Sequence, residues 1–312
     1  MNANFQFQTS AESAFMQETK VDLGNGLQLH VEMGGNPQHP CILLIMGLGA
    51  QMILWPEAFC KALITQGFCV IRFDNRDIGL SSKIQAPTLP SKHLLLLMAR
   101  FSMGLKNHGA PYQLEDMADD VALLIDQLGI ESCHVIGASM GGMIAQILAA
   151  KYPTKVKKLG LLFTSNNRAF LPPPGRQPLK LMFGPRAKNE DAIVQQSLKL
   201  YKYIGSPKFT QFNDVQQLAL RSYRRNHSPT GVLQQLLAIL CSGSLVPWDQ
   251  RIQQPTLVVH GECDQLLPPK HGKSVARAIQ GSKFELIAGM GHDIPPHFIP
   301  QLSDLFVSHF KS

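Results

Sequence analysis

The strand-like run Cys133 to Ala138 passes into Gly137-Ala138-Ser139-Met140-Gly141, and an apolar helical pattern leaves it from Ser139 to Lys151. A strand that turns into a helix over so few residues brings the positions two before and two after the serine close together. Large side chains do not fit there, and Gly137 and Gly141 meet that demand. The turn leaves the Ser139 hydroxyl at the end of a sheet, beside the amino end of a helix. The same spacing also serves a turn that merely lets a helix pack close to a strand, so the motif alone leaves a nucleophile and a packing turn level.

The rest of the chain supplies the sheet that such a turn requires. Cys41 to Met46 is an unbroken apolar run, as expected of a strand buried on both faces. Phe68 to Phe73 and Val156 to Phe163 read as further buried strands, Pro255 to His260 returns to the sheet rhythm, and Lys283 to Ala288 reads as the last strand. Helical spacing falls between them: Trp55 to Gln66, Leu114 to Leu128 with Gly129 as its stop, Pro269 to Ile279, and Pro300 to Lys311 at the end. The Asn25-Gly26 turn before the alternating Leu27 to Glu32 predicts a two-stranded antiparallel opening. His93 to Leu105 reads as a short helix or a covering loop. Strands alternating with helices give an α/β fold, a mostly parallel twisted sheet with helices on both faces. From Ser165 to Trp248 the strand rhythm stops, and patterns such as Ala192 to Ile204 and Val215 to Tyr223 predict an inserted helical cap. The expected division is a core from 1–164, a cap from 165–248 and a second core part from 249–312.

At 312 residues, 45% apolar and 16% charged, the composition is that of a globular chain. Its longest apolar runs fall well short of the ~20 residues of a membrane span. The first twenty residues have neither a basic start nor a continuous apolar core, so they do not read as a secretory signal, and a cytoplasmic location is the expectation. Six cysteines stand singly with no C-x-x-C pair, which favours buried thiols over disulfides or a metal site. The net charge of +7 is uneven: residues 165–230 hold eleven Lys/Arg against three acids. These cations are spread singly, which suits a solvated helical face weakly drawn to anionic surfaces better than a nucleic-acid groove.

Open α/β sheets bind ligands where the strands end in their carboxyl termini. Three strand-end loops carry Ser139, Asp264 and His292 in that order. A serine hydroxyl needs a base to take its proton as it attacks, imidazole suits that role, and a carboxylate holds the imidazole in the required tautomer. Taken singly, Asp264 serves equally as a helix cap and His292 as an ordinary loop residue; their joint placement favours catalysis. The resulting oxyanion needs two fixed N–H donors. The backbone of Met140, directly after the serine, is one candidate. Leu48, in the Met46-Gly47-Leu48-Gly49 turn after the first parallel strand, is the other.

With these residues assembled, the chain resembles the α/β-hydrolase superfamily from about Val21 to Phe310. The elbow around Ser139, the loop Phe73-Asp74-Asn75-Arg76-Asp77-Ile78-Gly79-Leu80-Ser81, Gly261 to Pro268, and Gly289 to His292 follow that family's patterns in order. Met46-Gly47-Leu48-Gly49 with Trp55-Pro56, and Pro111-Tyr112 before Leu114-Glu115-Asp116-Met117, are most similar to aclacinomycin methylesterase-like carboxylesterases. The resemblance implies the α/β-hydrolase fold and hydrolysis of a partly apolar carboxylic ester, with no cofactor or metal and no nucleic-acid partner. Met46 stands where the family often has a histidine, which removes a brace but not the backbone donor. Serine at the elbow disfavours the dehalogenase and epoxide-hydrolase branches, which use aspartate. The alternatives are a C–C bond hydrolase, peptidase or acyltransferase with the same triad, or a non-catalytic ligand-binding receptor on the same scaffold. Met182, Phe183, Leu198, Tyr201 and Tyr203 are candidates for an apolar pocket, with helix packing the favoured role for most of them.

Overall fold

Strong local signals and the observed elements coincide closely in the core. A computed structural model describes residues 5–85, 91–183 and 189–312, with side chains throughout except at 91–93 and 182–183. The chain opens with β1 (Gln8–Thr9), β2 (Met16–Asp22) and β3 (Gln28–Gly34), then β4 (Cys41–Ile45), α1 (Glu57–Thr65) and β5 (Cys69–Phe73). Next come α2 (Ser91–Ser102), α3 (Leu114–Gln127), β6 (Cys133–Ala138), α4 (Met140–Lys151) and β7 (Val156–Leu162). Between β7 and the next strand lie α5 (Arg176–Phe183), α6 (Glu190–Ile204), α7 (Phe212–Arg225), α8 (Pro229–Ser242) and α9 (Val246–Asp249). The chain then closes with β8 (Thr256–Gly261), α10 (Lys270–Ala278), β9 (Lys283–Ile287) and α11 (Ile299–Lys311).

The strands form one sheet in the order β1-β2-β3-β5-β4-β6-β7-β8-β9. From β5 to β9 every neighbouring pair is parallel, and β1 to β3 add an antiparallel edge. That edge has three strands rather than the two expected. β1 is only two residues long, and β2 reads MQETKVD with only Met16, Glu18 and Val21 buried, a polar half-buried ladder with little apolar signal. The first core helix starts at Glu57 rather than Trp55, because Pro56 takes an extended ψ of 136° at the cap, leaving Trp55 at the end of a short 3-10 turn.

Side chains alternate between the faces of β4, and the two halves of the core follow. Leu43 and Ile45 join Val135 and Leu159 beneath α3 and α4. Ile42 and Leu44 join Val70 and Ile136 against Phe59 and Leu63 of α1 and Leu302 and Phe306 of α11. Gly160 makes room for Phe306, since a Cβ at Gly160 would come within 2.7 Å of its ring. Among the described residues no helix is long and apolar enough to cross a membrane. The loops after β4, β5, β6, β8 and β9 all leave from the carboxyl end of the parallel sheet, the end at which ligands gather.

Candidate active site

Ser139 caps α4 with φ 56° and ψ −121°, a sparsely populated positive-φ conformation that costs an L-residue about 1–3 kcal/mol. The neighbours enforce it. A Cβ on Gly137 would lie 2.3 Å from the Gly141 carbonyl oxygen, and one on Gly141 would lie 2.0 Å from that of Ile45. The Ser139 N–H donates to Leu162 O at 3.0 Å, and Thr164 Oγ1 donates to Ser139 O at 2.6 Å. The turn is therefore clamped from β7 as well as from its own helix.

The turn after β4 packs directly against this elbow. A Cβ on Gly47 would sit 3.0 Å from Ser139 Cβ and 3.5 Å from Oγ, so Gly47 allows backbone to reach the hydroxyl. The N–H groups of Leu48 and Met140 donate to no acceptor among the described residues. Both Leu48 and Met140 line the same cavity as Ser139. Asn75 Nδ2 donates to Met46 O at 2.8 Å, supplying a brace where Met46 has none. Asp74, fully buried, accepts from the N–H of Met52 and of Leu80, each at 2.9 Å.

Helices that follow β7 bind this turn too. Gln235 of α8, fully buried, accepts from Gly49 N–H at 2.9 Å and donates to Arg76 O at 2.8 Å. Arg225 of α7 donates to Gln51 Oε1 and pairs with Asp74, both at 2.7 Å. Gln51 Nε2 in turn donates to Ser222 O and Asn226 O at 2.7 and 2.8 Å.

Asp264 and His292 meet across the loops after β8 and β9. His292 Nδ1 lies 2.7 Å from Asp264 Oδ2, and Asp264 Oδ1 accepts from Leu266 N–H and Leu267 N–H at 2.9 and 2.8 Å. Burial alone would raise the Asp264 carboxyl; the facing His292 and His260, by charge and hydrogen bonding, instead hold it at about 2. His260 supports the group from β8, 3.4 Å from Asp264 Oδ2 and bonded through Nε2 to Leu267 O at 2.7 Å. The Phe163 ring packs against His292 with centroids 4.5 Å apart.

The loop carrying His292 is tied to the α6–α7 junction. His292 N–H donates to Ile204 O at 2.6 Å, and Gly291 N–H to Ser206 Oγ at 2.9 Å. Asp293 accepts from both the N–H and the hydroxyl of Ser206, and from the Thr210 hydroxyl. Burial raises the Asp293 carboxyl above its ordinary value against those hydrogen bonds.

Ser139 and His292 open on a cavity of about 1210 Å³ whose walls include Leu48, Phe163, Leu200 and Val232. Tyr201 lines it, whereas Leu198 and Tyr203 do not; the side chains of Met182 and Phe183 lie outside the described residues. His271 also lines the cavity. Its Nδ1 is 2.7 Å from Ser165 Oγ and its Nε2 2.9 Å from Pro172 O, and burial lowers its pKa. Asn166 donates to the buried Asp249 at 2.9 Å, while Leu245 N–H donates to Asn166 O at 2.8 Å. Asn166 thus ties Leu245 and Asp249 to the segment that leaves β7, while His271 of α10 holds Ser165 and Pro172. No group of three or more His, Cys, Asp or Glu that could hold a metal ion occurs among the described residues.

Sequence reasoning had no signal for Gln235, His260, His271 or Asp293 as supporting residues. Asp293 follows a candidate site histidine and His260 ends a strand, which are the local hints available.

A parallel sheet wound on both faces, with a strained serine and an Asp-held imidazole opening on one cavity at its carboxyl end, defines an α/β protein of the hydrolase kind. The alpha/beta hydrolase fold family matches residues 40–296, and the chain belongs to that family. It is 24% identical to the rhodomycin D methylesterase DnrP of Streptomyces peucetius, over 94% of this chain and 98% of that one. It is 29% identical to a poly(3-hydroxyalkanoate) depolymerase of Ectopseudomonas oleovorans, over 81% and 78% of the two chains. The solved 2-hydroxy-6-oxo-6-phenylhexa-2,4-dienoate hydrolase from Rhodococcus sp. strain RHA1 superposes with a TM-score of 0.70 at 18% identity, covering 98% of this chain and all of that one.

Proposed function

We propose that this protein is a serine hydrolase that cleaves carboxylic esters, with Ser139 as nucleophile, His292 as general base and acid, and Asp264 orienting the imidazole. The observation that carries the reading is the strained Ser139 sharing a cavity with His292, whose Nδ1 is 2.7 Å from a buried carboxylate. In the first step His292 takes the hydroxyl proton while Ser139 Oγ bonds to the ester carbonyl carbon. The tetrahedral oxyanion sits between the N–H groups of Leu48 and Met140, each worth about 2.7–4 kcal/mol to the transition state. Collapse expels the alcohol, which leaves with the proton from His292. A water then attacks the acyl-enzyme with His292 again as base, releasing the acid and free Ser139.

The helical segment 165–248 acts as the cap and supplies most of the binding wall. A cavity of about 1210 Å³ lies above the ordinary range for drug-sized ligands, roughly 300–1,000 Å³, which supports a bulky, mainly apolar ester. The rhodomycin D methylesterase relative acts on an ester by name, in keeping with that chemistry.

A fluorophosphonate probe is expected to label the wild type and not Ser139→Ala. A panel of p-nitrophenyl esters beside an anilide and a C–C cleavage substrate is expected to show turnover of the esters. Labelling that persists in the alanine variant overturns the nucleophile; turnover confined to the anilide or the C–C substrate overturns the ester.

A further inference from the structure

Beside the cavity lies an apolar surface that is exposed among the described residues. On α2, Leu95 and Leu96 are 70% and 57% exposed, and Met103 and Leu105 just beyond it are 51% and 45% exposed. Leu95 and Leu96, then Ala99, then Ser102 and Met103 follow the three-to-four residue step of one helical stripe, and all five are exposed. The opposite side of this helix faces inward, where Asn107 Nδ2 ties Leu97 O to Leu240 O of α8 at 2.9 and 3.0 Å. Phe170 completes the surface: its N–H donates to Ser102 O at 3.2 Å, and a Cβ on Gly104 would come within 2.7 Å of Ala169 Cβ. Phe170 holds a left-handed φ of 62° while its side chain is 84% exposed. A bulky residue in that conformation is strained, and among the described residues most of this one stays uncovered.

Two further features narrow what this surface meets. Ala99, Met103 and Phe170 also line the cavity, so the exposed apolar stripe is continuous with the cavity wall. The flanking sequence is wholly basic. Residues 91–113 contain Lys92, Arg100 and Lys106 and no acid, and residues 165–189 contain Arg168, Arg176, Lys180, Arg186 and Lys188 and no acid. Together these two segments outweigh the whole chain's net charge of +7. Lys106, Arg168, Arg176 and Lys180 are exposed.

We propose that this rim, centred on Leu95, Leu96, Met103 and Phe170, docks on an anionic lipid surface and takes its ester from that surface. The inference rests on the ester-hydrolase reading for the role of the cavity. Apolar side chains enter the acyl boundary while the surrounding cations meet lipid phosphates, the arrangement by which an amphipathic helix lies on a membrane. A protein bound over the same residues would close the cavity, whereas a lipid surface itself presents the substrate to it. Residues 91–113 and 165–189 offer a basic partner no counter-charge, and an exposed apolar stripe of this kind is covered by an apolar phase or partner.

The test uses the full chain carrying Ser139→Ala, so that binding is read without turnover. It is mixed with vesicles of phosphatidylcholine alone or of phosphatidylcholine and phosphatidylglycerol in a ratio of roughly two to one, and co-flotation is measured. Binding is expected only with the anionic vesicles. It should weaken on adding salt and fall about tenfold or more when Leu95→Gln and Leu96→Gln are introduced together. Neither leucine lines the cavity, so the same pair in the active chain is expected to leave turnover of a soluble ester unchanged and to lower turnover of an ester carried in anionic vesicles. Absence of vesicle binding, binding indifferent to the paired substitution, or loss of a dimer as the pair's only effect overturns the proposal. Failure of ester turnover with intact vesicle binding counts against the hydrolase reading alone.

Discussion

Replacing Asp264 by asparagine changes one oxygen to an amide and separates geometry from charge. The Oδ1 position still accepts from Leu266 and Leu267 N–H, at 2.9 and 2.8 Å in the native chain, so the loop should keep its shape. The other position, now NH2, faces His292 Nδ1, which is 2.7 Å away. An amide donates there, so Nδ1 must accept and the ring proton moves to Nε2, the nitrogen that takes the serine proton in the proposed mechanism. The analogous change in a serine protease costs about 10⁴ in kcat for the same tautomeric reason, so Asp264→Asn should lower kcat by about 10³–10⁴ with KM changed far less. A second effect is on stability. The folded-state carboxyl lies at about 2 against an ordinary 3.8, so the native state binds that proton more weakly than the unfolded chain does. The corresponding stabilisation, about 2 kcal/mol, is fully present above about pH 4 and is lost as pH falls through about 2. In the variant this acid limb should disappear. The assay is steady-state hydrolysis of a soluble p-nitrophenyl ester, with urea unfolding followed from about pH 2 to pH 7. Turnover within tenfold of wild type refutes the assigned role of Asp264; an unchanged acid limb refutes the origin given for its low pKa.

Two further consequences follow from buried groups outside the three central residues. Gln235→Leu keeps the volume of the side chain but strands the Gly49 N–H and the Arg76 carbonyl; at about 1–3 kcal/mol for each buried unpaired group, thermal stability should fall. Because the Gly49 turn also carries Leu48, kcat should drop about 10–100-fold with KM little altered, and a loss of stability without loss of kcat would confine Gln235 to packing. Asp249 is pushed up to about 7 by burial, against one hydrogen bond from Asn166. A carboxyl whose folded pKa is raised destabilises the native state progressively as pH climbs from about 4 to about 7, by about 4 kcal/mol in all. Asp249→Asn should flatten that decline in urea unfolding, and an unchanged slope would contradict it.

The fold was legible because its signals are local. A parallel strand buried on both faces is mainly apolar: Cys41–Ile45 is so throughout, and Cys69–Phe73 is so but for Arg72, whose buried guanidinium pairs with Glu32. A strand that bends into a helix needs glycines at fixed offsets, and Gly137 and Gly141 have no room for a Cβ. Ser139, Asp264 and His292 could be named as candidates because each follows its own strand directly. The antiparallel edge was only half legible: β1 is a two-residue pairing of Gln8 and Thr9 with Glu18 and Gln17, too short and polar for any periodicity to show.

The supporting residues were not legible, for a geometric reason. Gln235 acts on Gly49 from 186 residues away, Arg225 reaches Asp74 from α7, and Ser206 meets Asp293 from the α6–α7 junction. Each is a polar residue in a helical or loop stretch whose pattern would be the same were its side chain in water. The order of elements and the steric demand of the elbow follow from neighbours along the chain, whose excluded volume acts over a few bonds. Which glutamine braces the turn, and how the helices after β7 clasp the loops of Leu48 and His292, was decided only by packing, because those hydrogen bonds exist solely once burial has removed the competing water.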